Sequence, residues 1–116
     1  MSITQNFKNT IKYPLLDKKE KMETEIKMIS AASRVTFFLK DNPHATDEEI
    51  FKDLFDYILE EDIGNENLIR YMIASATRAI QLKRKNLNSF DKQSEKQILK
   101  QVIDEIPSLA EEISGY

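Results

Sequence analysis

The sequence predicts an all-α protein: an antiparallel bundle of four main helices, with an N-terminal arm over residues 1–16 and a short C-terminal helix. Three observations carry this reading. The 116 residues include Gly 2 and Pro 3 with 32% charged side chains, a composition suited to long helices and few tight turns. Apolar residues recur with helical period in successive stretches, and no strand-like alternation occurs. The breaks between stretches are short, which favours antiparallel neighbours. A chain of this length is one domain, taken as residues 17–116, and buries about two-thirds of its unfolded surface.

In the arm, Ile3, Phe7 and Ile11 recur every fourth residue, the spacing of one apolar row on a helix. Tyr13-Pro14 interrupts it, because the residue before proline is kept out of the α region. We expect an arm that docks on the bundle or on a second subunit. Tyr13-Pro14-Leu15-Leu16 is read as an anchor onto the core rather than as a linear motif.

Asp17-x-x-Glu20 has a capping-box pattern and opens the first long helix, which should run to about Lys40 and stop at Asp41-Asn42-Pro43. This helix carries two apolar stripes. One contains Met22, Ile26, Ile29, Ser33 and Phe37; the other contains Met28, Ala31, Ala32, Val35, Phe38 and Leu39. Thr46-x-x-Glu49 is a full capping box, and Asp47 and Glu48 fall in the first turn, where the helix dipole favours anions. Ile50, Phe51, Leu54, Phe55, Ile58 and Leu59 then form one face, and Gly64 is placed to take the left-handed conformation beyond the C-terminus.

The stretch 67–85, NLIRYMIASATRAIQLKRK, is the element the others should surround. Its apolar arc is roughly twice the ~100° of an ordinary surface helix, so it needs cover on more than one side. The small residues of IASATRA invite close approach by neighbours. Lys83, Arg84 and Lys85 sit at its C-terminal pole, as the dipole favours. After a break at 86–90, the pattern resumes from Asp91 with Ile98, Leu99, Val102, Ile103 and Ile106. Pro107 kinks this helix or starts a short last one anchored by Leu109 and Ile113. The helices at 18–40 and 67–85 have more apolar width than a four-helix core covers.

Several chemistries lack their residues. There is no cysteine, hence no disulfide, thiolate metal site or cysteine nucleophile. The single histidine, His44, is expected in an exposed loop, and the Glu-x-x-His motif of di-iron bundles is absent. The two glycines form no phosphate loop, and the acids of 46–62 never match an EF-hand spacing. We therefore expect no enzyme, no cofactor and no metal. The N-terminus lacks a signal-peptide pattern and no run approaches about 18 apolar residues, so the chain is read as cytoplasmic, without membrane spans.

Charge is what remains. Net charge is −3, but residues 46–62 carry eight acids against one lysine, and residues 68–100 carry eight bases against two acids. The ordinary account is that acidic and basic helices neighbour each other. The functional account is a polarised surface that steers a charged partner. Its candidate residues are Glu49, Asp53, Asp56 and Glu60 on one side and Lys83, Arg84 and Lys85 on the other. The expected function is a small non-enzymatic protein-binding module, regulatory or inhibitory, which the surplus apolar width also allows to be a homodimer. The alternative is nucleic-acid binding through the basic 83–100 stretch.

Overall fold

The computed structural model describes residues 18–87 and 93–113. The arm over 1–16 and the cap at Asp17 lie outside the described residues. The rest is helical: α1 (Lys18–Asp41), α2 (Asp47–Glu60), α3 (Glu66–Leu87) and α4 (Glu95–Ile113), packed against each other, with no strand among the described residues.

Helix ends follow local chemistry. α1 stops before Pro43, where the Asn42 amide and side chain both donate to Phe38 O at 3.0 Å. Thr46 caps α2: the Glu49 amide donates to Thr46 Oγ1 at 3.2 Å, and the Thr46 amide donates to Glu49 Oε1 at 2.8 Å. Asn65 caps α3 through the Leu68 amide, 3.1 Å from its side-chain oxygen. α4 opens on a second capping box, in which Ser94 and Gln97 exchange bonds of 3.2 and 2.8 Å. The helix thus begins later than the pattern from Asp91 suggested.

Two further expectations are corrected. The left-handed residue after α2 is Asp62 (φ 55), not Gly64. Asp62 N donates to Leu59 O and Ile63 N to Ile58 O, both at 3.1 Å, the two bonds of a Schellman motif. The motif places its left-handed residue directly after the cap residue Glu61, and Gly64 falls two positions too late. Aspartate tolerates this conformation less well than glycine. Asp62→Gly is therefore expected to stabilise the protein by about 0.5–1 kcal/mol in urea melts. Gly64→Ala should cost nothing, since a Cβ there meets no atom within 4 Å.

The second correction concerns the C-terminal helix. Pro107 neither ends α4 nor starts a new helix; one helix runs from Glu95 to Ile113 with the proline inside it. Pro107 and Ile103 are both exposed, so the carbonyl that loses its partner faces water. Ile106 and Ala110, buried on either side of the proline, hold the helix to the core.

The core is built on α1 and α3, with α4 packing against both and α2 against α1. Ala31 and Ala32 on α1, with Ser75, Ala76 and Ala79 on α3, are all 0% exposed. These small side chains bring the helices close enough for Ser75 Oγ to donate across the seam to Met28 O at 2.8 Å. Val35, Leu39, Ile50, Leu54, Ile58, Met72, Ile80, Leu82, Ile98 and Val102 fill the rest of the main core. A smaller cluster of Met28, Tyr71, Ile106 and Ala110 extends it. The wide apolar arc of α3 is thus covered on more than one side, as its pattern required.

Candidate functional site

The charged candidates are mostly engaged within the fold. Arg34 of α1 donates to both carboxylate oxygens of Asp53, at 2.9 and 3.1 Å, and stacks 5.3 Å above the Tyr57 ring. Glu60 lies 4.0 Å from the same guanidinium, and Lys27 pairs with Glu61 at 3.5 Å. Bonding to Asp53 raises the Arg34 pKa above its usual value. Asp56 pairs with Lys52 along α2 at 3.4 Å, and Glu49 serves the capping box. The acids of 46–62 therefore dock and cap α2 rather than converge on one point.

The basic side is similar. Lys83 is buried, 6% exposed, with its Nζ 2.9 Å from Glu95. Arg84 reaches Asp47 at 2.6 Å and Lys100 reaches Asp104 at 3.3 Å. Lys85 is exposed on the last turn of α3. The acidic and basic segments are thus neighbours in the fold, since Arg84 joins the end of α3 to the start of α2.

A third clamp holds α3 to α4. Arg78 donates to Glu105 at 2.6 and 3.2 Å, and Gln101 adds a bond to the same carboxylate at 3.1 Å. Arg78 holds the Glu105 carboxyl below its ordinary range through this bonding, and Lys83 does the same for Glu95. Both groups have a folded pKa below the unfolded one. They contribute stability above about pH 4.5, which is lost as pH falls through the folded values. Melting temperature should therefore drop on acidification below that point. A Glu95→Gln/Glu105→Gln double variant should show a flatter acid limb, read by circular dichroism at several pH values.

Beside this clamp, α3 and α4 border an open groove of about 570 Å³, lined by Ala74, Thr77, Arg78, Glu105, Leu109 and Glu112 among others. Its guanidinium and Glu105 neutralise each other, and its hydroxyls have no histidine beside them, since His44 sits exposed in the α1–α2 connection. Among the described residues, no three His, Cys, Asp or Glu side chains converge to hold a metal ion.

What stands unengaged is apolar. Of the two stripes on α1, the Met28–Ala31–Val35–Leu39 stripe faces the core, whereas Met22 is 56% exposed, Ile26 52% and Phe37 48%. These three project from the flank of α1 turned away from α3. Ile103 of α4 is also exposed, at 38%. A second row stands on α2, where Phe55 is 42% and Leu59 77% exposed and the Phe51 and Phe55 rings are 6.5 Å apart. The Arg34–Asp53–Glu60 seam separates the two rows. The surplus width on α1 was legible in its sequence; the outward row on α2 was not, because the whole face read as core. Comparison with family models, with curated proteins and with solved structures finds no match to this chain.

Proposed function

We propose that the chain is a small non-enzymatic protein-binding module, regulatory or inhibitory in role, working in the cytoplasm. In this reading the four helices form an antiparallel bundle whose outer α1 face receives an amphipathic helix from a protein partner. One observation carries the proposal: Met22, Ile26 and Phe37 stand about half exposed in a row on α1 while the opposite face of the same helix is fully buried. The row spans roughly 22 Å at 1.5 Å per residue, the length of a four-turn helix. A helix laid on it would present apolar residues at i, i+4 and i+7.

The engagement of the charges supports this choice over the alternatives. Lys83 is buried against Glu95, and Arg84 and Lys100 already have carboxylate partners at the surface, which leaves the 83–100 stretch fewer unpaired cations for a phosphate backbone. The pairing of Asp53, Asp56 and Glu60 likewise moves the working surface from the acidic face to the apolar one.

The test compares the chain with an Ile26→Lys/Phe37→Lys variant as bait in extract of the native host. Both positions are half exposed, so the variant should keep its stability within about 0.5 kcal/mol. The expected result is a protein retained by the first and lost by the second, with direct binding reproduced from purified components. Equal retention by both baits overturns the reading.

A further inference from the structure

We infer that the outward face of α2 is a second docking surface, and that it fits a basic amphipathic helix of a protein partner. This face lies across the Arg34–Asp53–Glu60 seam from the α1 row and needs no occupant there.

The face follows from how α2 packs. Ile50, Leu54 and Ile58 recur at every fourth residue and are the buried side chains of the helix. Phe51, Phe55 and Leu59, each one position on, make a parallel row turned by about 100°. The row climbs out of the fold. Phe51 is half-buried and packed against the core, and its ring lies 6.5 Å from that of Phe55. Phe55 is exposed, and Leu59 on the last turn is the most exposed large apolar side chain described. A single exposed leucine is ordinary. Apolar side chains at one-turn spacing on one flank form a patch that a partner can cover.

Charge says what can cover it. Residues 46–62 hold eight acids, and the cations paired with them are Lys27, Arg34, Lys52 and Arg84, which leaves half of the negative charge in excess. Glu48 and Asp62 are exposed and carry no ion pair among the described residues. They bracket the row. Glu48 precedes Phe55 by two turns on the same face, and Asp62 follows Leu59 at the end of the helix, roughly 20 Å from Glu48. A helix laid along α2 therefore needs apolar residues at i and i+4, with Lys or Arg near both ends. Other occupants meet the wrong charge. A second copy joined through the same face sets one acidic helix against another. A surface of anionic lipid is repelled.

The probe is a synthetic helical peptide with leucines at i, i+4 and i+8 and lysines flanking them, titrated into the isotope-labelled full chain. It should shift the Leu59 methyl and Phe55 ring resonances and leave the Met22 and Ile26 methyls in place. Affinity should fall roughly tenfold between about 0.05 and 0.3 M salt, because the contacting charges are exposed. Leu59→Ser should weaken binding by about tenfold. Glu48→Gln/Asp62→Asn should weaken it several-fold and flatten the salt dependence, and asparagine suits the left-handed backbone at position 62. All three positions are exposed, so the variants should melt with the parent. The Ile26→Lys/Phe37→Lys variant should bind the peptide as the parent does. Four results overturn the inference. The lysine peptide fails to bind, or a peptide of the same composition with its leucines scattered around the helix binds equally, which reduces the effect to charge alone. Shifts centred on Met22 and Ile26 assign the peptide to α1. Self-association of the chain that Leu59→Ser abolishes assigns the face to a second copy.

Discussion

Met72→Asp should leave the chain unfolded or insoluble, the largest effect expected of any single substitution here. Met72 is 0% exposed on α3, in the core cluster that also contains residues of α1, α2 and α4. An aspartate there has no cation to meet: the guanidinium groups of Arg34 and Arg78 are engaged at the surface with Asp53 and Glu105. Burying an unpaired carboxylate, or raising its pKa until it is neutral, costs several kcal/mol against a total stability of ~5–15 kcal/mol. Circular dichroism and light scattering of the expressed variant check this. A soluble variant with a cooperative melt would show that α3 is not the centre of the packing. Met72→Ala gives the graded comparison, with an expected loss of about 2–5 kcal/mol.

The second large effect is expected at the seam between α1 and α3. Ala76→Leu should destabilise by about 3 kcal/mol, at the upper end of the range for overpacking. Ala31, Ala32, Ala76 and Ala79 are all fully buried, and the Ser75 hydroxyl reaches the opposing backbone at Met28 O, 2.8 Å away. With the backbones that close, three extra carbons find no space unless the helices separate. Separation would break the Ser75 bond and open the seam along its length. Urea melts of Ala76→Leu beside Ile26→Lys make the contrast, since the second adds a charge to an exposed site and should change little. Equal losses in the two would mean that the seam is looser than its geometry.

Much of the fold was legible because helix chemistry is local. The Thr46–Glu49 box, the stop at Asn42-Pro43 and the one-sided face of α4 depend on residues within a few positions of each other. The errors have physical causes too. Gly64 attracted the left-handed assignment by composition, whereas the Schellman bonds fix that conformation by register, at Asp62. Ser94-x-x-Gln97 was present to be read, but the apolar pattern drew the helix start upstream to Asp91. Pro107 reads as a boundary from backbone sterics alone; its exposure, a tertiary property, removes most of the penalty.

The site was less legible. The candidates were chosen by charge, and charge pairing spans the chain: Arg34 finds Asp53, Arg78 finds Glu105 and Lys83 finds Glu95. No local rule supplies those partners. The sequence of α1 did show two apolar stripes on one helix. It could not say which would be left outside, because that depends on where α3 and α4 come to rest.

The bond from Ser75 to Met28 also says something about how quickly this protein folds. It joins residues 47 apart, while α2 follows α1 and α4 follows α3 directly in the chain. Contacts between successive helices form early in a search, whereas the seam must wait for a long loop to close. Each doubling of loop length adds only about 0.6 kcal/mol of entropy, so the delay is modest, but it falls on one event. Seam substitutions such as Ala76→Leu should therefore slow the refolding limb of a chevron. Changes at exposed α2 positions outside the seam should leave the refolding limb unchanged. The alanines that let two backbones touch thus set the rate as well as the stability of the fold.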